Sequence, residues 1–156
     1  MREITCASIH QSASDFGTAT IIDGWHRARG WKGIGYHRVI LCGRLVGGGT
    51  VDHFVDGMIQ EGRPLDQIPA AVAGHNTGML AVCLIGNGDA LPIGEGYMSP
   101  SMWESLVRLC LKWHREFGVP VEKFLGHREF PDVHKTCPGF AVSALRHELQ
   151  RRLASP

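Results

Sequence analysis

MLAVCLIG, residues 79–86, is a continuous apolar run bounded by loop-like sequence on both sides. The preceding stretch, 62–76, holds two prolines, and the following one, 86–98, is rich in glycine. A run this short and this apolar predicts a central strand covered on both faces. Sheets that bury both faces do so with helices, so the flanking sequence should alternate strands with helices. It does. EITCASI (3–9), YHRVILC (36–42) and VEKFLG (121–126) read as further strands. Thr18 to Arg29 reads as a short helix with Ile21, Ile22 and Trp25 on its apolar side and Gly30 as its stop. Ser99 is a natural N-cap with Pro100 at the first helical position. Trp103, Leu106, Val107, Cys110, Trp113 and Phe117 follow at helical spacing, up to Gly118. A last helix, about 140–153, carries Phe140, Ala144, Leu145, Leu149 and Leu153. TVDHFVDGMI (50–59) alternates like the arm of a hairpin. The expectation is one α/β domain over residues 1–156, a central mixed β-sheet flanked by helices.

Composition narrows the function. With 44% hydrophobic residues, 20% charged residues and a formal net charge of +1, the chain is globular and lacks the basic surplus of a nucleic-acid binder. No apolar run reaches about 18 residues, so no membrane span is expected. MREITCASIH opens as a first strand and not as a signal peptide. The cysteines, at 6, 42, 83, 110 and 137, are odd in number and form no CxxC pair, which suits a reducing compartment or a metal ligand better than a disulfide framework.

Chemistry concentrates in GHREFPDVHKTCPGF, residues 126–140. Pro131, Pro138 and Gly139 keep this segment out of helix and central strand. Cys137 as a thiolate, with His127 or His134 as a neutral imidazole, could bind zinc. His134-x-x-Cys137 is the tighter local pair, but spacing does not choose between the histidines. The plain alternative is two ordinary loop histidines and a small buried cysteine. His10, at the end of the first strand, is an attractive third ligand, because sites assemble at strand ends. His26, beside Trp25, is expected at the surface, and His53 and His75 have little to recommend them. Two imidazoles and one thiolate would leave zinc a net charge of about +1 and an open fourth position, the pattern of catalytic zinc. Lys135 could stabilise an oxyanion, and Tyr36 could orient a water, although each has an ordinary reading as a loop lysine and a packed aromatic.

Several segments together resemble a known family. IHQSAS (9–14), WHRARGWKGIGYHRVI (25–40), EGRPLDQIPAAVAGHN (61–76) with LAVCLIG (80–86), SPSMWESLVRLCLKW (99–113) and GHREF…KTCPGF (126–140) are similar, in order and spacing, to the zinc-dependent N-acetylmuramoyl-L-alanine amidases of the amidase-2 group. That group includes small phage endolysins and the peptidoglycan recognition proteins. The resemblance implies zinc held by His10, His127 and Cys137, with His134 a loop residue. It implies catalytic roles for Tyr36 and Lys135 and a substrate contact for His37. The implied reaction is hydrolysis of the amide between N-acetylmuramic acid and L-alanine in peptidoglycan.

Three departures stand out. Ala71 takes the place of a histidine found in many members. Cys83 stands where the muropeptide-recycling branch has a glutamate, which favours the phage branch. The segment Gly47–Ile59 is longer than in compact members and could form a hairpin near the groove. The expected protein is therefore a monomeric endolysin, made in the cytoplasm and acting on the cell wall after release. The competing expectations are a non-catalytic peptidoglycan-binding module, a cytoplasmic muropeptide-recycling amidase and a cysteine peptidase.

Overall fold

Among the residues that the computed structural model describes, 2–88 and 97–155, five strands form one sheet. They are β1 (Cys6–Gln11), β2 (Arg38–Ile40), β3 (Ile59–Glu61), β4 (Met79–Leu84) and β5 (Phe124–Gly126). Their spatial order is β3-β2-β4-β1-β5. The β2–β3 pair is antiparallel and the other pairs are parallel, so the sheet is mixed as expected. Among the described residues three α-helices accompany it: α1 (Ala19–Ala28), α2 (Pro100–Phe117) and α3 (Val142–Ala154). Most of the Gly-rich stretch 86–98 lies outside the described residues.

The apolar run 79–86 owes its composition to its place. Every residue of β4 is fully buried. Successive strand side chains point to opposite faces. Leu80, Val82 and Leu84 accordingly join Ala7 and Ile9 of β1 in the core against α2 and α3. Cys83 turns the other way, to Ile22 of α1, Val39 and Leu41. Both faces are covered, so neither can alternate with polar residues.

The helix signals act locally. The Ser99 hydroxyl accepts the Met102 N–H at 3.1 Å, and Gly118, at φ 71°, closes α2 with the left-handed residue that glycine adopts without strain. The Thr18 hydroxyl caps α1 by accepting the Ile21 N–H at 3.2 Å. In α3 Leu145 and Leu149 are buried, whereas Leu153, in the last turn, is exposed.

The alternation in 50–59 does not make a hairpin arm. Residues 53–57 form turns, and only Ile59–Glu61 pairs with β2. Phe54, at 97% exposed, has no core face to meet. Residues 121–123 form a 3-10 turn after Pro120, so the predicted strand shortens to Phe124–Gly126. This turn seats β5 beside β1, with Ile9 level with Gly126.

Candidate metal centre and active site

The register of the sheet assembles the site. His10 follows Ile9 on β1, and His127 follows Gly126 on β5 in a short 3-10 turn. Two parallel neighbours thus present consecutive residues at the same sheet end, and the two imidazole rings lie 4.6 Å apart. The turn is clamped from below. Glu129 accepts the Gly126 N–H at 2.7 Å and pairs with Arg146 of α3 at 2.8 Å, while Arg146 also donates to the Phe124 carbonyl.

Cys137 arrives from the loop. The Arg128 N–H donates to the Cys137 carbonyl at 2.9 Å, and the Tyr97 hydroxyl donates to the Pro138 carbonyl at 2.8 Å. The Cys137 sulfur accepts the Gln11 N–H at 3.3 Å and lies 3.9 Å from Nδ1 of His10. One donor atom from each of His10, His127 and Cys137 falls within 4.8 Å of the others. His134 is exposed and outside this group, so the tighter local spacing did not select the cluster.

Electrostatics keep the imidazoles available as ligands. Burial holds His10 well below the ordinary histidine value, with help from His127 and Lys135. Burial, followed by the Lys135 ammonium, brings His127 down to about 4. Both rings are therefore neutral at neutral pH, as metal ligation requires. With one backbone N–H already directed at the sulfur, the set of two neutral imidazoles and one thiolate fits zinc.

Tyr36 stands beside the cluster, its ring 5.1 Å from that of His10. Burial, then the Cys83 and Cys137 sulfurs, push its phenol well above the ordinary value, so it keeps its proton. Tyr36, Lys135, Arg29, His127 and Cys137 line a cavity of about 730 Å3. A second lobe of about 690 Å3 shares His127, Val133, His134 and Lys135 and extends to Trp31, Ala71 and His75. Ala71 thus presents only a methyl group in this wall. No residue of 47–59 lines either lobe.

His37 sits elsewhere. It is fully buried, with Nε2–H donating to the Gln67 carbonyl at 2.9 Å and Nδ1 accepting the Ala81 N–H at 3.0 Å. No ring atom is exposed for the expected substrate contact. His26, expected at the surface, is also buried. Its Nδ1 accepts the Gly35 N–H at 2.9 Å, and its ring packs on Trp31 and Tyr36. The apolar spacing of α1 could have placed it, since His26 lies four residues after Ile22 on the same face. Trp31 and Arg29 entered no expectation about the site, and His75 was given little weight, because only tertiary folding brings their loops to the groove.

The sequence model of the Amidase_2 family, described as N-acetylmuramoyl-L-alanine amidase, matches residues 1–140. The chain belongs to this family. It is similar to an endolysin of Klebsiella phage KP32, 28% identical over 116 residues that span 74% of this chain and 66% of that protein. The match therefore falls just short of two thirds of the relative's own length. Among solved structures, the amidase LysC from Clostridium intestinale URNW superposes with a TM-score of 0.74 at 22% identity, covering 96% of this chain and 87% of the other. Drosophila PGRP-LB superposes at 0.66 and 23% identity, covering 96% and 81%. These two likenesses establish the shared fold. No described helix is long and apolar enough to cross a membrane.

Proposed function

We propose that this chain is a zinc-dependent amidase of the endolysin type. It hydrolyses the amide between the lactyl group of N-acetylmuramic acid and L-alanine in peptidoglycan. The observation that carries this reading is the His10, His127 and Cys137 cluster opening onto a groove that also holds Tyr36 and Lys135. Family membership and the endolysin relative support it.

Zinc held by these three residues supplies Lewis acidity toward an amide carbonyl and a water nucleophile. The remaining work belongs to the chain. Lys135 lines the cavity and balances the negative charge that develops on the carbonyl oxygen, a contribution of about a hundredfold or more in rate. Tyr36, a protonated phenol, orients the water by hydrogen bonding. Arg29 and Lys135 give the first lobe a positive lining suited to the carboxylates of a peptide stem.

The 3.9 Å approach of the Cys137 sulfur to His10 favours one second reading, a cysteine–histidine hydrolase. Clearing of outer-membrane-stripped cell walls separates the two. Activity should stop with a chelator, return with zinc, and release new α-amino groups of L-alanine. Clearing that survives chelation would support the cysteine reading. New reducing sugar ends in place of free amines would defeat both.

A further inference from the structure

β1 carries a second polar side chain on the face that holds His10. Ala7 and Ile9 enter the core against α2 and α3, so Ser8 and His10 share the opposite face. Ser8 is fully buried and His10 is 1% exposed. A hydroxyl so far from water needs a partner. Its partner is Nε2 of His10, 2.8 Å away. The other ring nitrogen, Nδ1, faces Cys137.

We propose that Ser8 is a positioning residue for the metal centre: its oxygen accepts the Nε2–H of His10 and so reserves Nδ1 for the ion shared with His127 and Cys137. This rests on the zinc reading above. A neutral imidazole has one ring proton, and whichever nitrogen carries it cannot be a ligand. If Ser8 donated instead, that proton would sit on Nδ1 and point at Cys137, whose sulfur already accepts the Gln11 N–H. The cluster would then lose its first ligand. Acceptance by Ser8 fixes both the tautomer and the ring plane, the two things that an outer hydrogen bond does for a ligating histidine. Neighbouring geometry leaves Ser8 little else to do. The residues level with it are Ala81 on β4 and Leu125 on β5, neither with a polar side chain. Its role is separate from that of Tyr36 and Lys135, since it is sealed from the groove.

The test uses the full chain. Zinc affinity of the wild type, Ser8→Ala and Ser8→Thr is measured by competition with a chromophoric chelator. Each protein is also loaded with cobalt(II), whose visible absorption reports ligand geometry. Ser8→Ala should bind zinc about ten- to a hundredfold more weakly, with an altered cobalt spectrum. Ser8→Thr, which keeps the hydroxyl, should restore most of the affinity and the wild-type bands. Binding by Ser8→Ala within about twofold of wild type, with an unchanged spectrum, overturns the proposal. A measurement on the wild type stands even if the alanine variant does not fold. Long-range 1H–15N correlation on the zinc-loaded protein should show the His10 proton on Nε2, and a proton on Nδ1 overturns the proposal while leaving the zinc reading intact. A wild type that takes up no zinc overturns both.

Discussion

Lowering the pH should weaken the fold through His37, and replacing His37 with glutamine should remove that weakness. The imidazole is fully buried between the Gln67 carbonyl and the Ala81 N–H. Its value is brought from 6.5 to about 4, first by burial and then by the Arg2, Arg38 and Arg63 guanidinium groups, against an opposing pull from the Gln67 carbonyl. A second proton would occupy Nδ1, the acceptor of the Ala81 N–H, and set two donors face to face. Between pH 6.5 and 4 the unfolded chain therefore binds a proton that the folded chain refuses. The stability that His37 contributes is complete above pH 6.5 and is lost as the pH falls toward 4. At about 1.4 kcal/mol per decade, the gap amounts to roughly 3 kcal/mol. His10 and His127 push in the same direction, so the wild-type curve alone does not isolate the effect. The measurement is urea unfolding of wild type and His37→Gln, both treated with chelator, at pH 7, 5 and 4. Glutamine keeps an oxygen for the Ala81 N–H and does not titrate. The stability difference between the two proteins should move in favour of His37→Gln by about 3 kcal/mol from pH 7 to pH 4. A difference that stays constant over that range, or an NMR titration of His37 with a midpoint near 6.5, refutes the reasoning.

Cys137→Ser should lose zinc retention and wall clearing while circular dichroism stays like the wild type, because the half-buried sulfur supports no core cluster. Lys135→Ala should keep its zinc and lose about a hundredfold in kcat with little change in KM, measured on a soluble muropeptide. Unchanged kcat would remove Lys135 from the mechanism. Gly35→Ala should destabilise the fold by about 1–3 kcal/mol in urea and lower activity, since a Cβ there overlaps the Ala70 carbonyl oxygen and displaces the strand entry that carries Tyr36.

The parts of the fold that were legible in the sequence are those whose causes are local. The apolar run of β4 reflects burial on both faces, and the ends of α2 are marked by Ser99 and Gly118 within one turn of chain. Alternation misled in 50–59, where Phe54 projects into solvent and turns replace pairing. The site divides the same way. Spacing within 126–140 made His134 the tighter local partner of Cys137 without excluding His127, and what separates them is a non-local fact, the pairing of β5 with β1. Likeness to a family implied His127 as the ligand, without the strand pairing that brings it to His10. It did not supply the burial of His26 and His37, which depends on how the 31–37 loop folds back under α1 and across β4.

The sheet places its first and last segments side by side, so the ligands come from opposite ends of the chain, with 127 positions separating His10 from Cys137. An ion held between them works as a clasp on the whole polypeptide. On the zinc reading proposed above, it would bind the folded chain and find no preformed site in the unfolded one, so free zinc above the dissociation constant would shift the folding equilibrium. It also sets an order of events during synthesis: until residue 137 has left the ribosome, the emerging chain has no complete site. A proteolytic cut anywhere between these positions leaves the ligands on separate fragments, and zinc retention then reports directly whether the fragments stay together.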